Sequence, residues 1–206
     1  IYQQLKSDSP SMVARYGSTE ILCVNNYLGI KKYKHNIIDY ITDKIPQFWW
    51  NQIGIYNMQH LSGFFPLTEL NLERFGELMI EDSKHVDILG SWRIEERRLI
   101  DINKVKTIQL LLLEPYHAKH PWSRVLKGKK VLVIHPFAET IQHQYEQKIT
   151  LLFKNTDVLP EFQLETIKAV QSLGGQSPFN TWFDALEYMK DEIDKRDYDI
   201  ALIGCG

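Results

Sequence analysis

The alternation of apolar and polar positions is clearest in the second half of the chain. Residues 129–136, "KKVLVIHP", are a short β-branched run that predicts a strand, and Gly128 ends the segment "PWSRVLKG" before it. Residues 138–153, "AETIQHQYEQKITLLF", open on helix formers and continue for several turns. Residues 162–170, "FQLETIKAV", are strand-like, and "QSLGGQSP" at 171–178 reads as a loop from its glycines and proline. In "NTWFDALEYMKDEIDK" (180–195), Trp182, Leu186, Met189 and Ile193 recur at spacings of four, three and four, which places them on one helix face. Asn180 or Thr181 is a good N-cap for that helix. "YDIALIGCG" (198–206) is a near-continuous apolar strand ending in a glycine pair.

The first half is more mixed. "SMVARYG" (11–17) predicts a buried strand and "STEILCVNNYLG" (18–29) the helix after it, with Gly29 as its stop. "KHNIIDYITDKI" (34–45) and "PLTELNLERFGELMIED" (66–82) read as helices, the second with Pro66 at its start. "VDILGSW" (86–92) and "KTIQLLLLEPY" (106–116) read as strands. Strands alternating with helices predict the α/β class, a mostly parallel sheet covered by helices. The expected organisation is one domain over 1–206. Its N-terminal half (1–125) carries an aromatic-rich insert at 45–65, and residues 126–206 form a βαβαβ half. The last strand stops where a glycine turn should lead into a helix, and the chain opens at Ile1, so trimming is expected at both ends.

Composition narrows the function classes. Hydrophobic residues make up 44% and charged residues 24%, which is ordinary for a folded domain. With 24 Lys plus Arg against 26 Asp plus Glu, the chain has no basic excess to draw nucleic acid or anionic membranes in general. Lys127, Lys129 and Lys130 read as a solvated edge before a strand. Cys23 and Cys205 alone make neither a disulfide framework nor a four-cysteine zinc site, which favours a reducing, cytoplasmic setting. No apolar run approaches the ~20 residues of a membrane helix.

Three stretches carry candidate chemistry. In "SMVARYGSTE", ligands of an α/β sheet would lie beyond the strand's carboxyl end. Gly17 permits close backbone approach, Ser18 and Thr19 stand at a helix N-terminus, Arg15 suits a phosphate clamp, and Glu20 suits a metal, a sugar hydroxyl or a proton. The same residues also read as plain capping: Ser or Thr caps the helix, Glu favours its positive end and Arg pairs with Glu. In "VIHPFAET", His135 and Glu139 are acid–base candidates and Thr140 an oxyanion donor, or they are a linker residue and a first-turn charge. Gly204-Cys205-Gly206 suits a pyrophosphate but lacks the full dinucleotide fingerprint, and Cys205 as a nucleophile has no base in view. His117, His120 and His135 lack the spacing of a structural zinc site. Phe48, Trp49, Trp50, Tyr56, Phe64 and Phe65 suit sugar stacking or an interface, though core packing is the commoner use of such a group.

"ARYGSTE" resembles the N-terminal signature of the GT-D-type glycosyltransferases, where Arg-aromatic-Gly-Asp-Gly-Glu is usual. "DILGSW" (87–92), "EPYHAKHPWSRVLKGKKVLVIHPFAETI" (114–141) and "DIALIGCG" (199–206) are similar to a GT-D-like branch found among bacterial surface-polysaccharide genes. The resemblance covers most of the chain. It implies a Rossmann-like, GT-D-like fold with helices on both sheet faces, and transfer of a sugar from a UDP- or GDP-linked donor to a glycan or lipid-linked acceptor. It implies donor binding by Arg15, Gly17, Ser18, Thr19, Thr140, Gly204, Cys205 and Gly206, and catalysis by Glu20 with Glu139 or His135. Trp92 or the aromatics of 48–65 would line the acceptor side, and Glu20 would hold the sugar or, with the diphosphate, Mn²⁺ or Mg²⁺. The implied protein works in the cytoplasm or at the inner face of the membrane, without nucleic acid, and is compatible with a homo-oligomer. One departure matters: Ser18 stands where the family's acidic pair has its first Asp, which leaves a single carboxylate. A non-catalytic nucleotide-binding scaffold of the same pathway is the alternative, and a dinucleotide enzyme using "GCG" is a third.

Overall fold

The structure, a computed structural model, describes residues 1–206 except 8, 102–103, 173–175 and 205–206, with residues 148–151 described in backbone alone. In chain order the elements are α1 (Tyr2–Lys6), β1 (Met12–Ala14), α2 (Ser18–Lys31), α3 (Ile37–Ile41), α4 (Gln52–His60), α5 (Glu69–Asp82), β2 (Val86–Ser91) and β3 (Lys106–Gln109). They continue as β4 (Lys130–His135), α6 (Ala138–Leu152), β5 (Gln163–Lys168), α7 (Trp182–Asp194) and β6 (Ile200–Ile203). Short 3-10 turns link several of them. The result is mixed α/β with two small, fully parallel three-stranded sheets. The chain divides into two compact units, one of residues 11–110 and 172–180, the other of residues 1–10, 111–171 and 181–206.

In the unit of residues 11–110, the strand order is β1-β2-β3. The central strand β2 buries Val86, Ile88 and Leu89, as a strand covered on both faces requires. Tyr16, Ile21, Leu89, Ile100 and Val105 form its core with Met79 of α5 packed against them. α2 is buried from Ile21 through Gly29 save Leu22, because α4, α5 and the turn Ile94–Arg98 all pack on it. A helix enclosed on that many sides shows no amphipathic stripe.

Several sequence expectations are corrected here. α2 does not stop at Gly29 but runs to Lys31, and Gly29 is the point where the backbone of Gln47 crosses so closely that a Cβ would overlap it. α5 starts at Glu69, not Pro66, because the Thr68 hydroxyl accepts from Asn71 N at 3.2 Å and caps it. The expected helix over 34–45 shrinks to α3, opened by the Asn36 side chain and closed by the Thr42 hydroxyl bonded to Ile38 O at 2.8 Å. The strand over 106–116 ends at Gln109 and gives way to a 3-10 turn at Leu110–Leu113. The 45–65 insert divides: Phe64 and Phe65 are core, whereas Trp49 and Tyr56 are exposed.

In the other unit the order is β5-β4-β6, with β4 central. Its side chains alternate between two cores. Val131 and Val133 face Tyr145 of α6 and Tyr2 and Leu5 of α1. Leu132 and Ile134 face Met189 and Ile193 of α7. Each fully buried aliphatic of this set contributes about 1.5–3 kcal/mol. α7 is fixed at its start by a capping box, Thr181 with Asp184. The chain leaves β4 by α6 toward β5 on one side and reaches β6 by α7 on the other. The strand order therefore reverses between the carboxyl ends of β4 and β6, a topological switch point.

Candidate functional site

The signature residues collect at the carboxyl ends of β1 and β2. β1 ends at Ala14, which leaves Arg15 exposed on the connection to α2. Tyr16 anchors that connection. Its ring is buried and its hydroxyl donates to Ser83 Oγ at 2.6 Å, which donates onward to Met79 O at 2.6 Å. Burial pushes the Tyr16 phenol up, the Ser83 bond lowers it, and the nearby charge of Glu96 adds to the rise.

Gly17 is the N-cap of α2 in extended conformation (φ −72°, ψ 149°), and no side chain caps this helix. Two parts of the plain capping reading fail, since Ser18 and Thr19 lie inside the first turn and Arg15 makes no ion pair with Glu20; the third holds, because Glu20 stands in the first turn at the positive end of the helix. Among the described residues the side chains of Arg15, Ser18, Thr19 and Glu20 have no hydrogen bond or ion pair. The Glu20 carboxylate folds back over Gly17, where any Cβ would overlap it. The result is a helix N-terminus with free N–H groups and flanking Arg15 and Glu20.

Trp92 belongs to this end too. Its indole Nε1 donates to the Tyr16 carbonyl at 3.0 Å, which ties the turn after β2 to the signature connection. The turn itself is held by Glu96, a fully buried carboxylate. Ser91 Oγ donates to its Oε2 at 2.5 Å, and the backbone N–H groups of Trp92 and Arg93 donate to its Oε1 at 3.3 and 3.2 Å. Beside it, Asn25 Nδ2 donates to Glu95 O at 3.3 Å, and Arg98 donates to Asn25 Oδ1 at 3.4 Å. The reading of the sequence missed Glu96, Asn25 and Arg98. The one available signal was an acidic residue three positions after Arg93, the spacing of a capping box.

His135, Glu139, Thr140 and Gly204 collect at the carboxyl end of the other sheet. His135 closes β4, paired in register with Lys168 of β5. Its Nδ1 accepts from Phe137 N at 3.0 Å, which leaves Nε2 to carry the proton of the neutral ring. The ring lies against Gly204, where a Cβ would come within 2.7 Å of Cδ2, so only glycine fits there without displacing the imidazole. Glu139, in the first turn of α6, is exposed and 3.5 Å from Lys168 Nζ. Thr140 is exposed beside it. Cys205 and Gly206 lie outside the described residues. A shallow cavity of about 300 Å³ lies at the amino end of this sheet, lined among others by Lys130, Glu165 and Asp197; none of the candidate site residues lines it.

Metal candidates are thin. Among the described residues no group of three His, Cys, Asp or Glu side chains could hold an ion. His117 is engaged by Glu114 at 3.1 Å. At the α2 end Glu20 is one hard oxygen ligand, so a Mg²⁺ or Mn²⁺ there fits only with the remaining oxygens supplied by phosphate and water. Cys23 is buried, and desolvation, then the charge of Glu20, push its thiol up to about 12, which keeps it protonated and inert. Compared with known proteins, the chain finds no match among family models, curated proteins or solved structures.

Proposed function

We propose that the chain is a glycosyltransferase that moves a sugar from a nucleotide diphosphate-sugar to a glycan or lipid-linked acceptor in surface-polysaccharide or glycoprotein assembly, on a Rossmann-like, GT-D-like framework. The observation that carries this reading is the amino end of α2, to which no side chain gives a capping hydrogen bond, with Arg15 just before it and the Glu20 carboxylate folded over its N-cap, Gly17. Charge develops on the leaving diphosphate as the glycosidic bond breaks. Preorganised N–H groups and a guanidinium stabilise that charge where it appears, and such stabilisation is the largest part of catalysis in many enzymes. Arg15 would take phosphate oxygens in bidentate fashion, with the Ser18 and Thr19 hydroxyls beside it. Glu20 would hold a sugar hydroxyl, or a divalent ion that neutralises the diphosphate. Trp92, exposed and fixed by its bond to Tyr16, supplies a flat apolar ring for a sugar face.

At the β4 end, the hydrogen bond into Nδ1 makes the His135 Nε2–H a donor, suited to a phosphate or hydroxyl oxygen and not to proton abstraction. The reading places the reaction in the cytoplasm or at the inner membrane face. It is tested by a transfer assay with a panel of UDP- and GDP-sugars and glycan or lipid-linked acceptors. Transfer by the native chain and its loss in Glu20→Gln support the reading, and unchanged turnover in Glu20→Gln removes Glu20 from it.

A second reading rests on Ser18. With one carboxylate where the family has two, the chain would bind nucleotide without transferring a sugar, as a scaffold for an assembly enzyme. Saturable UDP binding with neither transfer nor donor hydrolysis would select it.

A further inference from the structure

α3 is turned inside out. At 100° per residue, Ile37, Ile38 and Ile41 fall within an arc of about 100° on one side of the helix. In a helix packed on a core that side faces inward, as Leu72 and Phe75 of α5 do. In α3 it faces solvent: Ile37, Ile38 and Ile41 are 55, 65 and 74% exposed. The opposite side packs instead, with Tyr40 edge-on to Phe48 at 6.1 Å and to Trp49 at 5.0 Å. The helix is held by its Asn36 and Thr42 caps and this ring cluster, not by burial of its aliphatics.

The charges around this face are sorted as well. Residues 31–45 hold four lysines against two aspartates, in a chain of formal charge −2. Both aspartates are taken up, Asp39 by Lys44 at 3.7 Å and Asp43 by Arg98 at 2.9 Å. Lys32 and Lys34 are exposed, and among the described residues they have no ion pair. Trp49, 44% exposed, borders the helix.

We propose that this face docks on the surface of an anionic lipid bilayer. Aliphatic side chains enter the acyl boundary, an indole sits at headgroup level, and unpaired lysines meet lipid phosphates. The chemistry of each position matches one layer of that surface. The proposal concerns binding to lipid alone and does not rest on the transferase reading.

The test is flotation of the purified chain with vesicles of phosphatidylcholine, and with vesicles containing about one-third phosphatidylglycerol, without nucleotide sugar. The native chain is expected to bind the anionic vesicles about tenfold more tightly than the neutral ones, and less tightly as salt rises. Ile37→Ser/Ile38→Ser/Ile41→Ser is expected to weaken that binding about tenfold with an unchanged circular dichroism spectrum, and Lys32→Glu/Lys34→Glu to weaken it by a similar factor. Absence of binding by the native chain, or binding unchanged in both variants, overturns the proposal. So does a native dimer that the triple isoleucine variant turns into a monomer, because that result assigns the face to a second copy of the chain.

Discussion

The indole N–H of Trp92 donates to the carbonyl of Tyr16 at 3.0 Å, joining the turn after β2 to the connection between β1 and α2. Tyr16 is the hinge of the arrangement. Its ring reaches Ser83 in the core while its backbone, between Arg15 and Gly17, faces the exposed end of the sheet. Trp92→Phe keeps an aromatic ring and removes the donor. The expected loss is about 1 kcal/mol, the net worth of one hydrogen bond, read by urea denaturation. A midpoint equal to that of the native chain would show that the bond does not tie the two connections.

Glu96 accepts three hydrogen bonds while fully buried, so an apolar replacement leaves its donors without an acceptor. Glu96→Leu removes the acceptor of Ser91 Oγ, Trp92 N and Arg93 N. The expected cost is about 2 kcal/mol. Thermal or chemical denaturation checks it, and the Trp92 fluorescence should change with it because the same turn carries the indole. A cost near zero would mean that water already reaches this turn.

Gly204→Ala tests the contact at the β4 end. The new methyl would meet the His135 ring at 2.7 Å from Cδ2, and the ring would have to swing away from its bond with Phe137 N. Overpacking of this kind costs about 1–3 kcal/mol. The ring nitrogen resonances of His135 are the direct readout, since loss of the Phe137 bond changes the Nδ1 shift. Unchanged resonances would refute the contact.

Cys23 sets an alkaline limit on stability. Burial, aided by the Glu20 charge, raises its thiol from an ordinary 9.0 to about 12 in the folded chain. The folded state therefore keeps a proton that the unfolded state releases. The stabilising contribution is complete below about pH 9 and is lost as pH rises toward 12, at about 1.4 kcal/mol per pH unit. Tyr16, Tyr27 and Tyr145 are raised in the same direction, so stability should fall in alkali even without Cys23. Comparing Cys23→Ala with the native chain isolates the thiol. The variant should lose stability less steeply between pH 9 and 11, and equal slopes would contradict the assignment.

Much of the second half was legible because its elements obey one period each. β4 is a bare apolar run, and α7 shows Met189 and Ile193 at helical spacing behind a Thr181 cap, so both could be read directly. α2 could not be delimited, because a helix enclosed on most sides has no polar face to show where it ends. Gly29 looked like a stop because a glycine needed for backbone crossing is indistinguishable, in sequence, from a glycine that ends a helix. α3 was overextended because its isoleucines have the spacing of a buried stripe and the opposite exposure. At the candidate site, residue types at the strand ends were legible. The Glu96 network was not, since its partners meet only through the turn after β2.

The account turns on the uncapped end of α2 as a diphosphate site, and isothermal titration of the chain with UDP- and GDP-sugars, with and without Mn²⁺, tests it most directly. The account predicts saturable binding of at least one nucleotide sugar, weakened about tenfold or more in Arg15→Ala, as loss of a charge-assisted phosphate contact requires. No binding of any nucleotide sugar under either condition, or binding equally tight in Arg15→Ala, would contradict it.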